Sequence, residues 1–133
     1  MVHSTSPLRW LTRATHDLRG AKNNLNDDPE ELSDLICYES QQAFEKALKA
    51  LILHHGQPTP RTHDLVELLG EAEKADSMLD VFRQSAVILA RYAVHARYPD
   101  DLVDYSYDGE QAEAAYAMAS AVVTYASKVV KAN

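Results

Sequence analysis

Residues 28–56, DPEELSDLICYESQQAFEKALKALILHHG, restrict this chain more than any other stretch. Leu32, Leu35, Ile36, Ala43, Phe44, Ala47, Leu48, Leu51 and Ile52 recur at helical spacing, so they gather on one face of an α-helix. Asp28-Pro29-Glu30-Glu31 supplies a capping carboxylate, a first-turn proline and acidic groups for the positive helix end. Gly56 closes the helix as its C-terminal cap. A helix of about 27 residues, roughly 40 Å at 1.5 Å per residue, is predicted here. In a small domain such a helix has to be the spine on which the others pack.

The remaining segments repeat that periodicity. A first helix is predicted from about Pro7 to Leu25, with Leu8, Leu11, Ala14, Leu18, Ala21 and Leu25 in one stripe. Two prolines make 57–62 (QPTPRT) a loop. Thr62 is expected to cap a short third helix that turns Leu65, Leu68, Leu69 and Ala72 inward. A fourth begins at Asp76 or Ser77, faces the core with Leu79, Phe82, Ala86, Leu89 and Ala93, and ends at Pro99. Asp108 and Gln111 form a capping box opening a last helix along Ala112, Ala115, Tyr116, Ala119, Val122, Val123, Ala126 and Val130. No segment alternates as a strand does. The fold class expected is all-α, an up-and-down bundle of four long helices plus one short helix, in a single domain over 1–133 with its core at about 8–131.

Charge and composition narrow the function. The net charge of −7 argues against broad, non-specific nucleic-acid binding, which depends on neutralising phosphates. The charge is uneven, however. Residues 1–25 carry Arg9, Arg13, Arg19 and Lys22 against Asp17 alone, while 26–133 hold nine basic and nineteen acidic residues. The basic first helix is either a local face for a polyanion or simply a solvated helix. The lone cysteine, Cys37, cannot close a disulfide within the chain. No apolar run reaches the ~20 residues of a membrane span, and MVHSTSPLRWL lacks the pattern of a signal peptide. A cytoplasmic protein with no membrane partner is expected.

One segment is unusually rich in chemistry: ARYAVHARYPDD, residues 90–101. Arg91 and His95 are four residues apart and share a helix face. A guanidinium fork beside an imidazole suits a phosphate ligand, with arginine holding the anion and histidine moving a proton near neutral pH. The plainer reading is an exposed pair favouring the negative end of its helix. Arg97, Tyr98 and Asp100 would form either the rim of a base-stacking site or a turn fixed by a surface ion pair. Elsewhere, Gln41, Gln42, Glu45 and Lys46 flank the apolar stripe of the second helix, as a solvated edge or as hydrogen-bonding groups at an interface. His54, His55 and His63 lack the spacing of a compact zinc site, and no metal is expected. No phosphate-binding glycine loop or dinucleotide fingerprint is present, so no cofactor is expected either.

"CYESQQAFEKALKALI" (37–52), "PRTHDLVELL" (60–69) and "ARYPDD" (96–101), in that order, resemble the HEPN domain family, the higher eukaryotes and prokaryotes nucleotide-binding domains. The resemblance covers roughly residues 8–131. It implies an all-α bundle that often forms homodimers and is frequently encoded beside a minimal nucleotidyltransferase as a toxin–antitoxin-like pair. Many relatives are metal-independent endoribonucleases. Their R-x(4–6)-H motifs meet at the dimer cleft, where the histidine transfers protons and the arginine stabilises the phosphate. Here Arg91 to His95 is R-x3-H, and the residue just after Arg91 is Tyr92 rather than a small polar one. One residue on a helix is a rotation of about 100°, so the histidine need not point where a nuclease requires. The RYPD form resembles the branch usually treated as nucleotide- or RNA-binding. A binding module is therefore expected, with Arg91, His95, Arg97, Tyr98 and Asp100 lining its cleft. The alternatives are an endoribonuclease using Arg91 and His95 as catalytic residues, and a purely structural dimerisation domain. Some relatives are silenced by adenylylation of a tyrosine near the motif, which makes Tyr98 or Tyr92 the candidate for modification.

Overall fold

Ser6 starts the first helix: its hydroxyl accepts from the Arg9 amide at 3.3 Å, and Pro7 occupies the first turn. Helix α1 then runs Pro7–Asp27, followed by α2 at Ser33–His54, α3 at Leu65–Glu73, a 3₁₀ turn at Ser77–Phe82, α4 at Arg83–Arg97 and α5 at Gly109–Lys131. The structure is a computed structural model that describes residues 6–97 and 107–132, excluding the side chains of 93–97. Every regular element among the described residues is helical, and the arrangement is the expected bundle of four long helices and one short one.

Helix α2 is the spine. It packs against α1, α5, α4 and α3, and α1 also meets α5. Burial follows from that position: Ile36, Cys37, Ala43, Phe44, Ala47, Leu48 and Leu51 are fully enclosed. The small residues of α5, Ala112, Ala115, Ala119 and Ala126, are likewise enclosed and let its backbone approach closely. Phe44 is the largest fully buried side chain.

The start of α2 differs from expectation. It begins at Ser33, not beside Asp28, because residues 28–32 form a turn that serves two other helices. The Asp28 amide closes α1 on the Asn24 carbonyl at 3.1 Å, while its carboxylate accepts from the Glu31 amide at 3.1 Å. Glu30 reaches across to the Gly109 amide at 3.2 Å, so this acid answers the positive end of α5 instead of that of α2. With the start shifted, Leu35 lies 45% exposed and does not join the core.

Three further boundaries are set by side-chain oxygens or by a glycine. Gly56 (φ 82°) ends α2 as expected: its amide bonds to the Leu53 carbonyl at 3.0 Å and that of Gln57 to Ile52 at 3.1 Å. Asp64, not Thr62, caps α3, accepting from the Val66 amide at 2.9 Å and the Glu67 amide at 3.3 Å. Thr62 stands one step earlier, its hydroxyl accepting from the Asp64 amide at 3.1 Å. The capping box of α5 forms in both directions, Gln111 N–H to Asp108 at 2.8 Å and Asp108 N–H to Gln111 at 3.0 Å. The fourth helix starts at Ser77, one of the two expected positions, with Asp76 as its cap, but its first six residues wind as the 3₁₀ turn before α4 proper.

Candidate functional site

Helix α4 separates its faces cleanly over the described side chains. Ala86, Leu89 and Tyr92 enter the core, while Val87 and Arg91, four residues apart, stand outward. Arg91 is exposed and has no hydrogen-bond or ion-pair partner among the described residues. His95 and Arg97 belong to the same helix, though their side chains lie outside the described residues, as do Tyr98 and Asp100 entirely. Tyr92 is a core residue: its ring meets that of Tyr107 edge-to-face with centroids 4.5 Å apart. At 6% exposure it packs the bundle and is closed to a modifying enzyme.

The far end of α4 is anchored to the first turn of α2. Tyr107, against which Tyr92 packs, receives the Ser33 hydroxyl on its carbonyl at 2.6 Å and donates its amide to Asp34 at 3.2 Å. These bonds fix the height of Arg91 relative to the bundle. Cys37 lies one helical turn further along α2. Burial first, then the carboxylates of Asp34 and Asp108, push its thiol up to about 12, so it stays protonated and is no nucleophile at neutral pH.

A second polar centre sits at the other end of α2. Glu45 is 3% exposed and Lys49 is 8% exposed, so both charged side chains are buried. The Lys49 ammonium donates to Glu45 Oε2 at 2.9 Å, and His63 Nδ1 meets the same oxygen at 2.8 Å. Gln41 donates to the other oxygen, Oε1, at 3.4 Å, and Gln42 donates to Gln41 at 2.8 Å. Lys49 also lies over the indole of Trp10, 5.1 Å from the ring centroid, and the Arg13 guanidinium carbon lies 5.5 Å from it. This centre borders a groove of about 600 Å³ between the start of α1, the second half of α2 and the 59–63 loop.

Gln41 and Glu45 are thus internal hydrogen-bonding groups, not a solvated edge, because α2 is covered on several sides. Lys46 reaches Asp17 of α1 at 2.5 Å, pinning the two helices together. Sequence reasoning passed over Lys49 and Trp10. The signal available was an i, i+4 Glu–Lys pair beside the apolar stripe of the second helix. His63 is committed to Glu45, and the rings of His54 and His55 meet edge-to-face at 5.2 Å. Among the described residues no three His, Cys, Asp or Glu side chains converge to hold a metal ion.

The basic first helix presents a smaller notch of about 220 Å³, which His16 and Arg19 share with Lys131 of α5. Among the described residues no helix is long and apolar enough to cross a membrane.

Comparison with known proteins extends these observations. Among solved structures, TT1696 from Thermus thermophilus is similar, with a TM-score of 0.77 at 27% identity, covering 92% of this chain and 97% of that one. No curated protein matches the chain. The family model described as the HEPN domain matches residues 8–129, which spans α1 through nearly all of α5. The chain belongs to the HEPN domain family.

Proposed function

We propose that this chain is a single HEPN domain of the RYPD branch. In this reading it is a cytoplasmic, non-catalytic module that binds a nucleotide or RNA and pairs with a minimal nucleotidyltransferase. This reading assigns the ligand to Arg91, His95, Arg97, Tyr98 and Asp100, and takes Tyr98 as the candidate for modification. The observation that carries the reading is Arg91. In a HEPN domain, an exposed guanidinium without a partner among the described residues stands on the outward face of α4, one turn before His95 in sequence. Such a group is free to hold a phosphate through paired N–H bonds. The R-x3-H spacing supports binding over cleavage, because it falls one residue short of the R-x(4–6)-H spacing of the nuclease members, a difference of about 100° around a helix.

Homodimerisation belongs to the same reading. Met78, Val81 and Val87 are exposed by 66%, 74% and 39% on the segment that leads to Arg91, and apolar groups left outward in this way suit a second copy. Such a contact would bring two Arg91–His95 strips together.

The test is calorimetry with ATP and fluorescence anisotropy with a short labelled RNA, at fixed salt because phosphate contacts are salt-dependent. Saturable binding that Arg91→Ala weakens at least tenfold is expected, with the RNA intact in EDTA and a dimer by light scattering. Absence of binding to either probe refutes the proposal. Cleavage in EDTA that disappears in both Arg91→Ala and His95→Ala replaces it with the endoribonuclease reading.

A further inference from the structure

The groove beside Trp10 is remote from α4's end. Tyr92 and Tyr107 tie that end to Ser33 and Asp34, in the first turn of α2. Lys49 lies sixteen residues further along the same helix, about 24 Å at 1.5 Å per residue. A ligand small enough for one location therefore does not reach the other.

The groove's chemistry is specific. Its wall carries the indole of Trp10, the chain's single tryptophan. Its floor carries Lys49, a cation held in place by Glu45. Its rim carries Arg61, exposed and without a hydrogen-bond or ion-pair partner among the described residues, beside Thr59 and Thr62. His63 uses Nδ1 on Glu45, yet its side chain is 68% exposed, which leaves Nε2 for a ligand.

The charge count favours an anion. Glu45 is answered by Lys49, so Arg61 stands as surplus positive charge, and the nearby Asp64 carboxylate is turned to the amides of Val66 and Glu67. A buried carboxylate bridging lysine and histidine also holds both side chains in fixed places before any ligand arrives, which lowers the ordering cost of binding.

We propose that this groove is a binding site for a small aromatic phosphate monoester of nucleoside monophosphate size. Arg61 takes the phosphate with His63 beside it, the Lys49 ammonium supplies the field at the floor, and the aromatic ring packs against Trp10. A volume of about 600 Å³ suits one such molecule, within the roughly 300–1,000 Å³ of ligand pockets. One indole offers a platform for one ring, which favours a mononucleotide over a strand. The inference rests on the groove alone and is independent of the ligand assigned to α4.

Trp10 is its own reporter. AMP titrated into the full-length protein is expected to change Trp10 fluorescence saturably, and Arg61→Ala to weaken that response at least tenfold. Adenosine and inorganic phosphate, each lacking half of the recognised chemistry, are expected to bind at least tenfold more weakly than AMP. Arg91→Ala, at the opposite end of the bundle, is expected to leave the AMP response within twofold. Arg61→Lys, which keeps the charge but not the fork, is expected to recover part of the loss. The proposal is overturned by no saturable response to AMP at millimolar concentration or by equal affinity in Arg61→Ala. It is equally overturned if phosphate alone matches AMP, or if the response is lost on Arg91→Ala.

Discussion

Replacing Glu45 by glutamine tests whether the polar centre in α2 is an ion pair that the bundle depends on. The substitution keeps shape and one acceptor while removing the charge that faces Lys49 at 2.9 Å. The Lys49 ammonium, 8% exposed, would then have a neutral amide and the Trp10 ring as its company. Breaking a buried pair by removing one partner costs about 3–5 kcal/mol. A retained neutral hydrogen bond returns about 1 kcal/mol of that. The expected loss is therefore ~2–3 kcal/mol, the retained bond and the indole contact both reducing it. At ~2.1 cal/mol/K per residue a chain of 133 residues has an unfolding entropy of about 0.28 kcal/mol/K, so the midpoint should fall by ~7–11 °C. The assay is thermal and urea unfolding followed by circular dichroism, at one protein concentration so that association does not shift the midpoint. Lys49→Met should cost a comparable amount, because it strands the carboxylate. The double substitution Glu45→Gln/Lys49→Met should lose less than the sum, since a neutral pair has no buried charge to compensate. A midpoint within ~2 °C of the parent for Glu45→Gln, or strict additivity in the double variant, would refute this account of the centre.

Two further outcomes follow from single side chains. Tyr125 donates its hydroxyl to Asp76, the residue that caps the 3₁₀ turn; first that hydrogen bond, then burial and the nearby carboxylate, push its phenol up to about 12 from 10.0. The folded state thus keeps this proton longer than the unfolded chain, so the contribution is complete below pH 10 and fades as pH rises towards 12. Ultraviolet titration of the phenols should show a late component that vanishes in Tyr125→Phe, and a profile unchanged by that substitution would count against the bond. Cys37, with its thiol pushed up to about 12, should resist a disulfide reagent at pH 8 in the native protein and react once unfolded in urea. Rapid labelling of the native state would show that α2 is not enclosed where Cys37 sits.

The helices were legible because periodicity and capping chemistry agree for most of the chain. Asp108 and Gln111 announce α5, Gly56 ends α2 with a positive φ, and the alanine stripe of α5 packs where its spacing says. What local sequence does not carry is which neighbour receives a given cap. Asp28-Pro29-Glu30-Glu31 reads as the start of one helix, yet Asp28 closes the helix before it and Glu30 serves Gly109, seventy-nine residues away. The same limit hides the polar centre. Glu45 and Lys49 look like a solvated i, i+4 pair, and only the arrival of α1 and the 59–63 loop makes them internal.

That difference bears on how the two ends of α2 ought to be judged. At its first turn the bundle uses hydrogen bonds to main-chain groups and a ring contact, with Ser33 and Asp34 on Tyr107 and Tyr107 on Tyr92, and sets Arg91 outward where a single cation has nothing to balance it among the described residues. In its second half the chain instead encloses a carboxylate and an ammonium, which costs desolvation that apolar residues of equal volume would avoid. A helix built only for packing gains nothing from Glu45 and Lys49 that Leu or Met would not supply. Their presence beneath a groove that also gathers Trp10, Arg61 and His63 makes sense if the charges are held ready for something outside the bundle. A stability gain in Glu45→Gln/Lys49→Met relative to the parent, with loss of the AMP response, would separate the two roles by measurement. A gain with the AMP response intact would show that the charges serve neither.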